Sequence, residues 1–415
     1  MSLLTSLSSG TTGLASSSAE LAVIGDNIAN ANTVGFKAER ADFEDTLAQS
    51  VIGGAGQIGL GSRLQAVQKI ITQGALTNTG VATDLALQGS GFFEVSGTAS
   101  DGRTGTYVTR AGQFTVDRTG FLVNVDGMRV QGYPADAAGN VTTVLGDLQV
   151  GNASSAPLAT SQVTLKANLQ ADAPIIPAAS WDPTNPSTTS NFSTSITAYD
   201  SLGASHQVQV YFQHTAAGTW AWHAMTAGVE VNNGALAFDT SGNLTANPGA
   251  TVTFTPPGAA ALTFGIDMGD PATGDIGITQ FASASATTFV GQDGFSSGQI
   301  SSIQIDKSGI VNGVFTNGES RALGQVGVAR VAAPDQLERV GGNLYAVTRS
   351  SGEAVMGAAG DGGRAFISAG TLEQSNVDIA EQFVRMIAAQ RAFEANSKTI
   401  TTSDQLLSEL IQMKR

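Results

Sequence analysis

Apolar residues recur every three or four positions at the two ends of the chain. Between the ends they alternate or cluster in short runs. Steps of four and three from Leu3 visit Leu7, Gly10, Leu14, Ser17, Leu21, Ile24, Ile28 and Ala31, and only Gly10 and Ser17 interrupt the apolar stripe. The same steps from Ile379 visit Phe383, Met386, Gln390, Phe393, Ser397, Ile400, Asp404, Leu407 and Ile411. This is the seam periodicity of a coiled coil, so both ends are predicted as helices with a narrow apolar stripe. The first would be marginal alone: Gly10, Gly13 and Gly25 each cost ~1 kcal/mol relative to Ala, and isolated helices of this length gain little in water. Two arrangements bury the stripes equally well. The helices can pair antiparallel within one chain, or loosely ordered ends can become fixed against neighbouring copies.

The interior reads as β-structure. Phe92-Phe93-Glu94-Val95, Gly105 to Arg110 and Gln207 to Phe212 alternate or carry β-branched and aromatic residues. Val116-Asp117-Arg118-Thr119-Gly120-Phe121-Leu122 is echoed by Ile305-Asp306-Lys307-Ser308-Gly309-Ile310-Val311, each a strand, an Asp-x-x-Gly turn and a strand. Between the echoes the composition changes. Nine of the 11 prolines lie from Pro157 to Pro271, with Trp181, Trp220 and Trp222 in the same stretch. Residues 151–284 hold Lys166 as their one basic residue against eight acidic ones. Such a shift marks an inserted domain.

The expected organisation is multidomain α+β. Residues 1–36 and 370–415 form a helical, coiled-coil inner domain, and 37–69 an extended Gly-rich linking segment. Residues 70–150 and 285–369 form a β-rich middle domain, and 151–284 an inserted all-β, barrel-like outer domain.

Charged residues are only 13% of the chain, so its polar surface must come mainly from Ser, Thr, Asn and Gln. A net charge of -14 opposes nucleic acid and anionic membranes as partners. The absence of cysteine excludes disulfides, thiolate metal sites and cysteine nucleophiles. No apolar run reaches the ~18 residues of a membrane span, so no membrane insertion is expected. Met1 to Leu7 lacks the features of a secretory signal peptide, so an extracellular destination would require export without cleavage of such a signal.

Candidate chemistry is sparse. Gly54-Ala-Gly-Gln-Ile-Gly59 has dinucleotide-loop spacing but no strand before it or helix after it, and reads as a flexible linker. His206, His214 and His223 do not reproduce a zinc spacing. Asp267, Asp270 and Asp275 lack the remaining ligands of a calcium loop and read as solvated surface. Trp220 and Trp222 share strand parity, which fits a sugar platform or, better, a core. No catalytic, cofactor-binding or metal-binding residue is assigned, no cofactor is expected, and the chain is not read as an enzyme.

Leu21-Ala-Val-Ile-Gly-Asp-Asn-Ile-Ala-Asn-Ala-Asn-Thr-Val-Gly-Phe-Lys37 resembles the N-terminal signature of the flagellar rod and hook axial proteins, with Asp26 where a second Asn is usual. Leu372 to Asp378 followed by Gln390 to Lys398 resembles that family's closing helix, with Asn376 or Ser375 as its N-cap. Thr83 to Phe93, Tyr107 to Gln113, Gly127 to Tyr133 and Leu323 to Val331 resemble its core β-domain. Tyr199-Asp-Ser-Leu-Gly203 with His206-Gln-Val resembles a motif of the outer domain, and the insert favours the hook branch over the shorter rod members.

The resemblance implies a structural subunit that polymerises into a flexible hollow tube and transmits torque from rod to filament. It implies an assembly interface of Leu3, Leu7, Leu14, Leu21, Ile24, Ile28, Ile379, Phe383, Met386, Phe393, Ile400, Leu407 and Ile411. Asn27, Asn30, Asn32, Gly35 and Phe36 form the motif turn, where Asn30 to Gly35 are expected to tolerate left-handed backbone. The implied partners are further copies of the chain, the distal rod, cap and hook–filament junction proteins, and the flagellar type III export apparatus. The implied location is the flagellar hook and basal body, outside the cell. The alternatives are a distal rod protein, an extracellular adhesin or carbohydrate-binding protein, and a secreted hydrolase.

Overall fold

A computed structural model describes residues 3–46, 59–246 and 249–413. The chain forms two compact units, one of Met1–Ala153, Ser301–Val314 and Ser320–Arg415, the other of Ser154–Ile300 and Phe315–Glu319. The second unit extends past the expected boundary at residue 284. Strand Ala286–Gln292 pairs antiparallel with Gln162–Gln170 and so joins the sheet of that unit.

In the first unit, helix α1 (Leu3–Ala29) and helix α2 (Ile379–Met413) lie antiparallel against each other. α1 runs unbroken through Gly10, Gly13 and Gly25. Its support comes from within the chain, from α2 and from strands β1 (Glu39–Asp45) and β2 (Ser62–Lys69). The 37–69 segment is therefore not simply extended: β1 and β2 pair antiparallel, from Glu39 opposite Lys69 to Asp45 opposite Ser62. Pairing satisfies backbone groups that a lone extended chain would leave to water. Most of the Gly-rich stretch, including Gly54, lies outside the described residues.

The β portion of this unit joins strands from both sides of the insert. Phe92–Thr98 pairs with Thr104–Thr109, Arg129–Pro134 and Val328–Arg330. Leu85–Gln88 pairs with Phe366–Ala369, and Leu76–Asn78 with Thr371–Glu373. Phe93 and Phe114 meet edge to face at 5.1 Å, a favoured aromatic geometry. Leu85, Leu87, Val95, Val130 and Leu148 are buried in the same unit.

The echoed Asp-x-x-Gly segments fold as the pattern predicts. Asp117 Oδ1 accepts the N–H groups of Thr119 and Phe121 at 2.9 and 2.8 Å, and Asp306 Oδ1 accepts those of Ser308 and Ile310 at 2.9 and 2.9 Å. Gly120 and Gly309 close these turns at φ 86° and 83°, where a side chain would be strained. The same turn recurs at Asn124, Asp136, Asp200 and Asp239. The local chemistry is enough to specify it: one carboxylate or amide oxygen holds two backbone donors, and glycine supplies the left-handed residue.

The second unit contains two sheets around one core. Strands Phe192–Tyr199, Ser205–Ala216, Thr219–Thr226 and Val229–Ala237 form an antiparallel meander. The other sheet is mixed, because Gln162–Gln170 runs parallel to Leu262–Asp267 and Ile278–Phe281 but antiparallel to Ala286–Gln292. Val163, Leu165, Ala167 and Leu169 alternate into the core and are buried with Ile196, Val210, Phe212 and Phe264. Trp220 and Trp222, on one face of their strand, are fully buried in this core.

Candidate assembly surface

The α1–α2 contact is close because its residues are small. A Cβ on Gly10 would lie 3.0 Å from Ile400 Cγ1, and one on Gly13 would lie 2.8 Å from Asn396 Nδ2. These glycines set the phase of α2. Its seam follows Gln382, Met386, Ala389, Phe393, Asn396, Ile400, Ser403 and Leu407, which are buried or half-buried. The expected stripe instead alternated through Phe383, Gln390, Ser397 and Asp404, so at every second step it lies one residue off the seam. Asn27 Nδ2 donates to Gln382 Oε1 at 3.2 Å, a buried polar contact between the helices.

The residues assigned to the interface divide accordingly. Leu3 lies within α1. Leu7, Leu14, Leu21 and Ile28 are half-buried and Ile24 is buried; Met386, Phe393, Ile400 and Leu407 are half-buried. Ile379, Phe383 and Ile411 are 45%, 50% and 69% exposed. Ile387, absent from the sequence-based set, is 53% exposed and continues the four-residue row from Ile379 through Phe383. Val384 stands exposed beside that row. An apolar row is thus left open next to the polar seam.

The motif turn works differently from its sequence expectation. Between Asn30 and Gly35 only Gly35 has left-handed backbone, at φ 72°. A Cβ there would lie 2.6 Å from the Ala111 nitrogen, so the position is closed to other residues on two counts. Asn30 acts through its side chain, donating to Asp26 O at 2.9 Å and accepting from Thr33 Oγ1 at 3.1 Å. Buried Asn27 clasps β1: its Nδ2 donates to Glu39 O at 2.7 Å and its Oδ1 accepts Glu39 N–H at 2.8 Å. Phe36 is buried beneath the Arg339 guanidinium, 5.2 Å from the ring centre, while Asn32 is exposed.

The cap of α2 is Asp378, whose Oδ1 accepts the Ala380 and Glu381 N–H groups at 2.8 and 3.2 Å. A carboxylate there also complements the positive end of the helix. Of the two expected caps, Asn376 instead accepts Ala38 N–H at 2.7 Å and donates to Ile70 O at 2.8 Å, and Ser375 Oγ accepts Val377 N–H at 3.3 Å.

Behind the turn lies a charged group that sequence reasoning missed. Glu373 Oε1 is 2.5 Å from Lys37 Nζ, and its Oε2 is 3.1 Å from Arg110 Nη1. Lys37 and Glu373 side chains are 0% exposed and that of Arg110 3%. Gly74 N–H also donates to Glu373 Oε1, at 2.9 Å, and Lys37 Nζ to Thr72 O, at 2.6 Å. Burial holds the Lys37 ammonium and the Arg110 guanidinium below their ordinary pKa ranges, against the opposing pull of Glu373.

The residues considered for other chemistry have separate local roles. His206 Nε2 is 2.8 Å from Asp200 Oδ2, and this contact leads in holding the Asp200 carboxyl below its ordinary range. His214 stacks on Trp220, and His223 stacks under Trp181 with its Nδ1 2.7 Å from Glu230 Oε1. Asp275 pairs with Lys166 at 2.8 Å. Among the described residues no group of three or more His, Cys, Asp and Glu side chains is placed to hold a metal ion.

Four family models match successive parts of the chain. They are the flagella basal body rod protein model at 7–37, the flagellar hook protein FlgE/F/G D1 domain at 86–171, the flagellar basal body protein FlaE D2 domain at 168–295 and the flagellar basal body rod FlgEFG protein C-terminal model at 368–413. The flagellar hook protein FlgE of Treponema pallidum is 35% identical over 471 residues, covering 100% of both chains. That of Salmonella typhimurium is 32% identical over 424 residues, covering 99% of this chain and 100% of its own. The crystal structure of Helicobacter pylori flagellar hook protein FlgE2 aligns with a TM-score of 0.49 at 15% identity, over 72% of this chain and 100% of that one. The matches run from end to end and include the insert, and the chain belongs to the flagellar hook protein family.

Proposed function

We propose that this chain is the structural subunit of a flagellar hook, polymerising into a flexible hollow tube that passes torque from the rod to the filament. The observation that carries the reading is the open row Ile379, Phe383 and Ile387 on α2. Full burial of an exposed side chain of this kind contributes ~1.5–3 kcal/mol, and a second copy of the chain can supply roughly half of that at each of these half-exposed positions. In the polymer, α1 and α2 form the coiled-coil inner layer, the β portion of their unit the middle layer, and the barrel-like insert the outer one. A surface rich in Ser, Thr and Gly on the outer layers lets contacts slide as the tube bends. The partners are other copies, then the distal rod, cap and junction proteins at the ends, reached by export through the flagellar type III apparatus. The role is structural and includes no catalysis.

The test is assembly of purified chain followed by sedimentation and electron microscopy. Phe383→Asp should lower the melting of the soluble chain only slightly while abolishing tubes, since Phe383 is already half exposed. Wild-type tube formation by Phe383→Asp and by Phe383→Asp/Ile387→Asp would overturn the assignment of this row. Straight rather than curved polymer from the wild-type chain would favour the distal rod reading.

A further inference from the structure

The trio behind the motif turn does not balance. Lys37 and Arg110 carry two positive charges, and Glu373 is the one carboxylate within ion-pair distance of them among the described residues. A net positive charge is therefore nearly sealed from water, which is unfavourable unless a further anion compensates it. Arg110 is also incompletely bonded. Its Nη1 reaches Glu373 and its Nη2 donates to Gly89 O at 2.7 Å, but its Nε–H is buried without an acceptor.

Arg110 lines a cavity of about 410 Å³. Arg330 also lines it, with its guanidinium exposed, held by Gly362 O at 2.9 Å and facing no carboxylate within ion-pair distance among the described residues. Ile71, Phe92, Val331 and Pro334 supply apolar lining beside Gly89, Ser90, Gly91 and Ala332. Two guanidinium groups with spare donors beside an apolar surface suit a carboxylate on a short aliphatic stem.

We propose that this cavity is an oxyanion site whose ligand is a carboxylate, held chiefly by Arg330 and neutralising the charge left over at Arg110. The carboxylate can be a free small anion or an acidic side chain of a second copy, since the chain carries 34 acidic against 20 basic residues. The second source rests on the polymer reading; the first does not.

The experiment uses the full chain, its Arg330→Gln variant and the charge-keeping Arg330→Lys. In one arm, dilute monomer is titrated with sodium acetate and with inorganic phosphate at ionic strength fixed by chloride, and melting and calorimetric binding are read. A free-anion site gives saturable stabilisation above the chloride control, weakened about tenfold or more in Arg330→Gln by loss of a charge-assisted bond and largely kept in Arg330→Lys. In the other arm, the critical concentration for assembly is measured with phenylglyoxal labelling of Arg330. A second-copy carboxylate gives no saturable anion response, a raised critical concentration in Arg330→Gln, rescue in Arg330→Lys, and protection of Arg330 in polymer. If Arg330→Gln alters neither the anion response nor the critical concentration, the proposal is wrong. A wild-type chain that never polymerises sinks the hook reading instead, and the anion arm alone then decides for or against the site.

Discussion

Replacing Glu373 by Gln keeps the side chain's size but removes the carboxylate that Lys37 and Arg110 share. Breaking one buried ion pair costs about 3–5 kcal/mol. Here a single change leaves two cations uncompensated, which pushes toward the upper end. A limit comes from Lys37 itself, since discharging a lysine at pH 7 costs about 5 kcal/mol and burial already lowers its pKa. The expected loss is therefore about 3–5 kcal/mol, or roughly 6–20 °C in the melting of the unit that holds the trio. All three tryptophans lie in the other unit, so their fluorescence gives an internal reference, while far-UV circular dichroism follows α1 and α2. The pH dependence has a definite sign. With a folded-state pKa below 10.5, Lys37 binds fewer protons folded than unfolded between those two values, so its contribution to stability rises with pH there. The Glu373→Gln penalty should shrink between pH 7 and 10 as the stranded ammonium discharges. A loss under about 1 kcal/mol at pH 7, or one that grows toward pH 10, would refute the account of this site.

Glu94 is buried, and burial raises its carboxyl pKa. A raised folded-state pKa favours the fold below the unfolded value near 4.5 and loses that advantage as pH rises through the folded one. Glu94→Gln should therefore raise the melting temperature at pH 7 and leave it unchanged at pH 4, read by melts at both values. Gly35→Ala should cost at least about 1–3 kcal/mol in denaturant unfolding, from left-handed strain and from the 2.6 Å approach to Ala111 N. Backbone and side-chain donors hold the carboxyls of Asp117 and Asp239 below their ordinary range, with Thr119 Oγ1–H leading at Asp117 and Asn243 N–H at Asp239. Depressed values contribute stability above pH ~3.8 that is lost as pH falls through the folded pKa. The Asp117→Asn/Asp239→Asn variant should flatten the acid limb of the stability curve while keeping the turns.

The terminal stripes were legible because a helix repeats its apolar face locally, and so were the Asp117 and Asp306 turns, each written in four residues. Four further copies of that turn, at Asn124, Asp136, Asp200 and Asp239, carry the same Asx-x-x-Gly pattern, so the signal was present for all six. The phase of α2 was not legible. It depends on which residue meets Gly10 and Gly13, and that partner is almost four hundred positions away along the chain. The same separation hid the trio: Lys37, Arg110 and Glu373 each stand in a different motif, and nothing local marks any of them as buried. Asp378 caps α2 because it directly precedes the first helical residue, Ile379, whereas Asn376 and Ser375 lie two and three positions earlier than Asp378.

The division of labour across α2 links these points. Facing α1, its seam is narrow and partly polar: Gln382, Ala389, Asn396 and Ser403 meet a surface that includes Gly10, Gly13 and Asn27. Small residues permit close approach, and the Asn27–Gln382 bond penalises any slip that would leave a buried amide unpaired. This contact fixes register, and it also half-buries Met386, Phe393, Ile400 and Leu407. Further apolar area sits on Ile379, Phe383, Val384 and Ile387, where the chain leaves it open. Had the phase been turned to bury that row against α1, the helix pair would be more stable alone and would have less to gain from a neighbour. The arrangement found sets the register of the pair with polar contacts and leaves a second apolar row, still about half exposed, for whatever covers the outer face.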